Sequence, residues 1–410
     1  EMISGLAGGG CLVQTTDAQR LDLDALEELV HREGVERMFL TFSVLQHFAE
    51  QSLASGRRLP ALRQVITAGE QLKRTPALAE WLARESQCRL INQYGPTETH
   101  VVSEFVLDAA GDEDLPPIGT PASSARLHVL DAQLNPVPVG VAGELCVGAE
   151  VLARGYLHRA GLTAQRFVAD PFDGHGGRLY RTGDLVRWRA DGQLEYLGRL
   201  DHQVKVRGFR IELGEIEAQL PAQPGVRQAL VLAQDGPGGA RLVAYAAGAE
   251  GHPLRPAALR AGLAAALPDY MVPSVIVAMP QGLPLNANGK VDRQALPPPE
   301  AAEQRAHVPP QGATETALAG LWAQVLGLSR VGRGDNFFEL GGHSLAVLKL
   351  RQQVKAQMGI DLPLQRYFEL PDLAACAQAL DAQGPAQAQQ AAQAESDLDR
   401  MDALLESLGG

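Results

Sequence analysis

The apolar positions of the first hundred residues change period several times. Asp24-x-x-Glu27 has the form of a capping box, opening a helix with Leu26, Leu29 and Val30 on one face and a stop at Gly34. Residues 35–42 read as a strand, 44–53 as a helix, 62–68 as a strand, 76–85 as a helix and 89–93 as a strand. This alternation predicts a parallel sheet with covering helices. From about Ala125 the apolar runs shorten and Gly and Pro separate them; residues 185–197 alternate around Asp191-Gly192, the signal of a hairpin. Residues 201–296 suggest a smaller α+β region, with a helix near Gly214, strands near Val226 and Leu242, and an Ala/Leu helix over 256–267. Pro297, Pro298 and Pro299, then Pro309 and Pro310, bound a stiff linker. Residues 313–382 read as almost entirely helical. The Ala/Gln-rich stretch 383–395 has no period, and the last residues place Leu398, Met401, Leu404, Leu405 and Leu408 on one face, opposite acidic side chains.

Composition narrows the function. At 410 residues the chain has room for two or three domains. A net charge of -12 argues against nucleic acid or an anionic membrane as partner. No apolar run approaches a membrane span. Cys11, Cys88, Cys146 and Cys376 lie far apart without metal-ligand spacing, which points to reduced thiols in a cytoplasmic setting. Glu1 is not an initiator methionine, and the chain reads as a fragment.

Chemistry enters with Asn92-Gln93-Tyr94-Gly95-Pro96-Thr97-Glu98, which follows a predicted parallel strand. The ends of such strands are where α/β sheets bind ligands. The turn offers an aromatic face, a hydroxyl and a carboxylate, groups suited to a purine, a phosphate and a hard cation. Taken alone, a turn with a packed tyrosine accounts for it equally well. Downstream, however, stand Tyr180-Arg181-Thr182-Gly183-Asp184, Tyr196-Leu197-Gly198-Arg199-Leu200-Asp201, Gln203-Val204-Lys205-Val206-Arg207-Gly208-Phe209-Arg210-Ile211-Glu212, and Pro284-Leu285-Asn286-Ala287-Asn288-Gly289-Lys290-Val291-Asp292. An aspartate after a Gly turn can take both ribose hydroxyls, and a lysine on an Asn-Gly loop can reach an anionic reacting centre.

With these segments in this order, residues 1–296 resemble the adenylate-forming superfamily, and specifically the adenylation domains of nonribosomal peptide synthetases. The resemblance implies an α/β fold: a partial large subdomain over 1–200, with parallel sheets and a distorted β-barrel, and a mobile small α+β subdomain over 201–296. It also implies roles. Tyr94 and Tyr196 would flank the adenine, and Asn92 would contact its amino group. Thr97 would touch the α-phosphate, Glu98 would hold Mg²⁺, and Asp184 with Arg199 would bind the ribose of ATP. Lys205 would also belong to the nucleotide site. Asp201 would be the hinge and Lys290 the mobile catalytic lysine, replaced by the Arg207-Gly208-Phe209 loop in the second half-reaction. A carboxylate attacking the α-phosphate brings two anions together, which a lysine and a metal stabilise electrostatically. The family's Ser/Thr/Gly-rich phosphate loop has no counterpart here and would lie upstream of Glu1, so this fragment is not expected to adenylate by itself.

Asp335-Asn336-Phe337-Phe338-Glu339-Leu340-Gly341-Gly342-His343-Ser344-Leu345 precedes a helical pattern. A serine before a helix is ordinarily an N-cap. The Gly-Gly-His-Ser-Leu core, the preceding Asp-x-Phe-Phe and the four-helix length instead resemble peptidyl carrier domains, in which Ser344 would bear 4′-phosphopantetheine. This implies an all-α carrier over 313–382, tied by a proline-rich linker (297–312) and followed by a flexible linker and short acidic amphipathic helix (383–410). His343 argues against epimerisation by a following domain.

Matched by motif, the substrate pocket would be walled by Phe39, Ile66, Ala68, Gln93, Val101 and Val102, with Lys290 on the amino acid's carboxylate. The wall is apolar, so a charged side chain would be buried there unpaired; proline leads as the substrate and leucine follows. Implied partners are a phosphopantetheinyl transferase, condensation and other downstream synthetase domains, and an MbtH-like protein. The acidic tail is either a contact element or the start of the next linker. Two other readings stay open: an acyl-CoA or aryl-acid ligase sharing the nucleotide motifs, and a non-enzymatic carrier or scaffold.

Overall fold

The computed structural model describes residues 2–384 apart from 21, 108–112, 123–124, 149, 151, 202, 207–208, 237–238, 249–252, 287–289, 300–307, 339, 343 and 371. The chain divides into two compact units, Glu1–Glu212 and Leu213–Gly410.

The first unit begins with short helices α1 (Met2–Ala7) and α2 (Asp17–Arg20), then α3 (Leu23–Arg32). The cap of α3 is Asp22 rather than the expected Asp24: its carboxylate accepts from the N–H groups of Asp24 and Ala25. Asp22 has the extended backbone of a cap, whereas Asp24 already lies in the first turn. Strands β1 (Arg37–Leu40), β2 (Gln64–Ala68) and β3 (Arg89–Tyr94) pair in parallel, alternating with α4 (Phe42–Ser55) and α5 (Pro76–Arg84). Strands β4 (Ser103–Leu107) and β5 (Thr120–Pro121) extend this five-stranded sheet antiparallel. One face carries Met38, Val65 and Leu90 into a core with Leu45, Phe48 and Trp81. Trp81 is fully buried edge-on to Phe48. Alternate residues of β1 and β2, Phe39 and Ile66, are register partners on the opposite face, as are Ala68 and Gln93 on β2 and β3.

A second, antiparallel sheet has the order β10-β9-β7-β6, with β8 against β9. Its members are β6 (Arg126–Leu130), β7 (Gly143–Gly148), β8 (Phe167–Ala169) after the short helix α6 (Ala160–Arg166), β9 (Arg178–Trp188) and β10 (Leu194–Arg199). The last two form the hairpin predicted around Asp191-Gly192. Strands β11 (Gln203–Val206) and β12 (Phe209–Glu212) make a separate hairpin that belongs to this first unit.

In the second unit, α7 (Leu213–Gln219) and α8 (Pro256–Ala266) accompany the sheet β13 (Val226–Gly236), β14 (Gly239–Gly248) and β15 (Val275–Ala278), the last pair parallel. Val243, Tyr245 and Val277 are buried there. The carrier region holds α9 (Gly312–Leu326), α10 (Ser344–Met358), α11 (Leu364–Glu369) and a further helix over 373–384. It is less helical than expected. Gly327 ends α9 in a left-handed conformation, and turns follow up to α10, supported by Asp335 and Asn336 side chains accepting from Gly332 and Phe338 N–H groups. Leu318, Trp322, Phe337, Val347, Leu350 and Leu380 form a core drawn wholly from this region. The proline linker is described only at its two ends, and the Ala/Gln-rich stretch from 385 and the acidic tail lie outside the described residues.

Candidate active site

Asp184 on β9 sits opposite Arg199 on β10. The pairing slips between Tyr196 and Gly198, leaving Leu197 as an extra residue. Without that bulge Tyr196 and Arg199 would point to opposite faces; with it they share one. Gly198 adopts φ 137°, a conformation open to glycine and strained for other residues. The guanidinium of Arg199 then lies 2.8 Å from one Asp184 oxygen, and the Tyr94 hydroxyl donates to the other. Arg199 also donates to Asp201 through Nε (2.6 Å) and Nη2 (2.7 Å), and Arg166 reaches Asp201 at 3.0 Å. Burial opposes ionisation of Asp201, but the bonds and charge of Arg199 outweigh it and bring its pKa down to about 2. Burial raises the Tyr94 hydroxyl well above its usual range, and the Asp184 charge adds to this. Asp184 and Arg199 are nearly inaccessible, so removing either partner would strand a buried charge. Lys205 places Nζ 5.5 Å from the centre of the Tyr94 ring, and burial lowers its pKa.

A second cluster forms around Glu98. The loop after β3 folds back tightly: a Cβ on Gly95 would lie 1.8 Å from the His100 carbonyl oxygen. One Glu98 oxygen accepts from Tyr156 at 2.6 Å and the other from Arg210 at 2.6 Å. The Tyr156 and Tyr180 hydroxyls are 3.3 Å apart, and Arg210 also reaches Tyr180. Burial pushes the Glu98 carboxyl up, yet the Tyr156 bond and the Arg210 charge prevail and its pKa is lowered. Both oxygens are thus engaged, one by a cation, and no three His, Cys, Asp or Glu side chains converge as a metal cage among the described residues. In this arrangement Glu98 does not fit a divalent cation.

The other expected positions divide. Asn92 is buried at the end of β3 and donates to the Pro117 carbonyl at 2.9 Å; Thr97 is exposed in the turn beside Glu98. Tyr196 is half-buried. Phe39, Ile66, Ala68 and Gln93 share one sheet face, with Val101 and buried Val102 in the loop entering β4. Gln93 lies 3.5 Å from Glu104, its register partner on β4. Phe209 is exposed, while Arg207 and Gly208 lie outside the described residues. In the second unit Lys290 is exposed, its N–H donating to the Asn286 side chain in a loop closed by the Leu285–Val291 bridge. Ser344 is the first residue of α10, and a Cβ on neighbouring Gly342 would come within 2.5 Å of the Phe337 carbonyl oxygen. That close approach requires glycine at 342.

Sequence reasoning missed five contributors, among them Arg210 on Glu98 and Thr182, whose carbonyl accepts from Arg199 at 3.1 Å. Tyr180 and Thr182 precede Asp184 at two-residue spacing, a periodic signal that could have marked them. Tyr156 and Arg166 carry no local pattern; only folding brings them to Glu98 and Asp201.

Residues 1–157 match the family described as AMP-binding enzyme, 215–290 the AMP-binding enzyme C-terminal domain, and 316–380 the phosphopantetheine attachment site. The chain belongs to the adenylate-forming, AMP-binding enzymes and is an adenylation-plus-carrier segment of the nonribosomal peptide synthetase kind. It is similar to a dimodular nonribosomal peptide synthase of Bacillus subtilis (48% identity over 79% of this chain) and to gramicidin S synthase 2 of Brevibacillus brevis (41% over 91%). It spans only 13% and 8% of those relatives' lengths. Among solved structures it resembles holo-PA1221, a synthetase protein with adenylation and carrier domains bound to a vinylsulfonamide inhibitor. That likeness has a TM-score of 0.71 and 30% identity, over 88% of this chain and 60% of that one. No helix among the described residues is long and apolar enough to cross a membrane.

Proposed function

We propose that this chain serves the activation of an amino acid with ATP and its transfer to the carrier bearing Ser344. The observation that carries the reading is that Tyr94 joins Asp184, Tyr196 and Arg199 of the β9–β10 hairpin, from three motifs, in one constellation built on the buried Asp184–Arg199 pair. Tyr94 and Tyr196 supply ring faces for the adenine, with Asn92 toward its amino group. Asp184, held by Arg199, accepts from the ribose hydroxyls, and Thr97 lies toward the α-phosphate with Lys205 nearby. For the ribose to reach Asp184, the Tyr94 hydroxyl gives way.

A substrate carboxylate oxygen forms the new bond to the α-phosphorus as pyrophosphate leaves, and Lys290 stabilises the charge that accumulates between the two anions. Asp201 is the hinge, and the Arg207, Gly208 and Phe209 segment serves the transfer step. The Mg²⁺ that the family implies is not supported at Glu98 in this arrangement. Ser344 would hold phosphopantetheine through its hydroxyl, and the group would supply a thiol nucleophile toward the aminoacyl-adenylate, with AMP as the leaving group. The side chains of Phe39, Ile66, Ala68, Gln93, Val101 and Val102 are themselves uncharged, with Glu104 beside Gln93 at 3.5 Å, and favour an apolar amino acid, proline before leucine. A phosphopantetheinyl transferase, condensation and downstream domains and an MbtH-like protein are the partners this reading implies. The four unpaired cysteines suit a cytoplasmic setting.

The test uses this chain. Incubated with coenzyme A, Mg²⁺ and a broad-specificity phosphopantetheinyl transferase, it gains one phosphopantetheine by intact mass, and Ser344→Ala gains none. A folded chain that stays unmodified overturns the carrier assignment. Pyrophosphate exchange by the same chain is expected to be absent, because its sequence holds no Ser/Thr/Gly-rich phosphate loop.

A further inference from the structure

We propose that Glu144 is a positioning residue for Asp184. It clamps the bulge that carries that aspartate, and so sets how sharply the site tells a ribonucleotide from a nucleotide without ribose hydroxyls. This rests on Asp184 being the group that accepts from the ribose. Glu144 acts at one remove: it lies on β7, the strand beside β9, and its side chain is only 6% exposed.

Across the β7–β9 pair, Glu144 faces Leu185 and Cys146 faces Arg181. Leu145 alone on β7 therefore lies against Thr182, Gly183 and Asp184 on β9, and all three of these are buried. A bulge takes backbone groups out of the strand ladder, and buried N–H and C=O groups must then find other partners. Here side chains supply several of them. The Gly183 N–H donates to one Glu144 oxygen at 3.1 Å. The Asp184 N–H donates to the Thr182 hydroxyl at 3.0 Å, and that hydroxyl donates to the Leu145 carbonyl at 2.7 Å. The Thr182 carbonyl accepts from Arg199 at 3.1 Å, and the Gly183 carbonyl from the Leu200 N–H at 2.8 Å.

Glu144 grips this segment at two points. Its second oxygen accepts from both Nε and Nη2 of Arg181, at 3.0 and 2.6 Å, in the residue just before the bulge. One carboxylate thus fixes Arg181 and Gly183 together, through charge-assisted bonds. Gly183 turns through φ 72°, and a Cβ on it would stand 2.9 Å from the Arg199 guanidinium and 2.9 Å from the Asp201 carboxylate. The bulge therefore runs hard against the groups that hold Asp184. A binding constellation tolerates about 0.5 Å of error in its contacting groups. With the ladder interrupted at 182–184, Glu144 is the anchor that keeps Asp184 within that margin, aimed at Arg199 and at the two hydroxyls it is to accept from.

The experiment measures binding of AMP and of 2′,3′-dideoxy-AMP to the 410-residue chain by calorimetry. Alongside, it reads hydrogen exchange at the Gly183 and Asp184 amides by fragment mass spectrometry. The wild type is expected to prefer AMP by at least about ten-fold, as two hydrogen bonds to a charged acceptor allow. Glu144→Gln keeps the shape and one acceptor oxygen but loses the charge. In it the preference falls below about three-fold while affinity for dideoxy-AMP stays within about two-fold, and both amides exchange at least about ten-fold faster. Arg181→Gln attacks the clamp from its more exposed end and narrows the preference part of the way, which covers the case that Glu144→Gln misfolds. A merely structural role would weaken both nucleotides equally and leave the preference intact. The proposal is overturned by that result, or if neither variant speeds exchange at Gly183 and Asp184. A wild type without the preference sinks the ribose reading, and the exchange rates then still decide whether Glu144 holds Asp184 in place. A wild type with the preference, whose folded variants keep it, sinks this inference alone.

Discussion

The nucleotide-directed cluster and the carrier region use their residues in opposite ways. In the first unit the chemistry is dispersed: Tyr94, Glu98, Tyr156, Asp184, Arg199 and Arg210 come from separate strands and loops, and charged pairs that are partly or wholly buried hold them. In the carrier the chemistry is local. One serine opens a helix, beside a glycine that fits against Phe337, over a core of mainly apolar side chains. A dispersed site can change its contacts when one charge is satisfied differently, whereas a local one needs only a folded scaffold beneath it.

Three substitutions sharpen that contrast. The largest effect is expected at Lys290 in the parent synthetase. There Lys290→Ala slows adenylate formation by roughly two to four orders of magnitude, in line with lost transition-state charge stabilisation, while transfer from a supplied aminoacyl-adenylate suffers far less. Single-turnover assays of the two half-reactions read this directly, and equal damage to both would show that Lys290 is not confined to the first. Ser344 modification is untouched in the same variant, because the carrier's chemistry does not depend on it.

Next in size is Trp322→Ala. Trp322 is buried edge-on to Phe337, 5.0 Å between ring centres. Truncation costs about 3–5 kcal/mol by lost burial and a residual cavity. Hydrogen exchange should show the carrier helices opening while Val65 and Leu90 in the first unit keep their protection. Loss of protection in both would mean that the carrier core does not stand by itself.

The smallest effect is at Asp201, whose folded pKa of about 2 lies below its ordinary value. A depressed carboxylate pKa contributes stability that is present above the unfolded value and lost as pH falls through the folded one. The wild type is therefore expected to exceed Asp201→Asn by about 1 kcal/mol at pH 7, a figure reduced for the partial exposure of the group. The gap closes between about pH 4 and pH 2. Denaturant melts of the first unit at stepped pH check this, and a gap that does not change with pH would mean that Arg199 and Arg166 do not sense the carboxylate's charge.

Much of this was legible in the sequence because it is periodic. The alternation of β1 to β3 with their helices, and the Asp191-Gly192 hairpin, follow from spacing alone. The cap of α3 was misplaced by two residues because Asp22 and Asp24 are both competent caps, and only the backbone conformation at Asp22 decides. Residues 313–382 are less helical than expected because the Asp335 and Asn336 side chains accept from the Gly332 and Phe338 N–H groups and fix turns before α10. Arg210 stood in a quoted motif, but its partner is set by tertiary folding, which no local pattern carries.

The seating of β11–β12 also bears on how such synthetases can be recombined. A chimera joined at residue 200 would take the hairpin from one parent and Glu98, Tyr180 and Tyr94 from the other, so Arg210 and Lys205 would meet foreign partners. A joint between Glu212 and Leu213, where the compact units divide, transfers the hairpin together with the surface it grips. Crossover points for hybrid assembly lines are therefore better placed after the second strand of this hairpin than before its first.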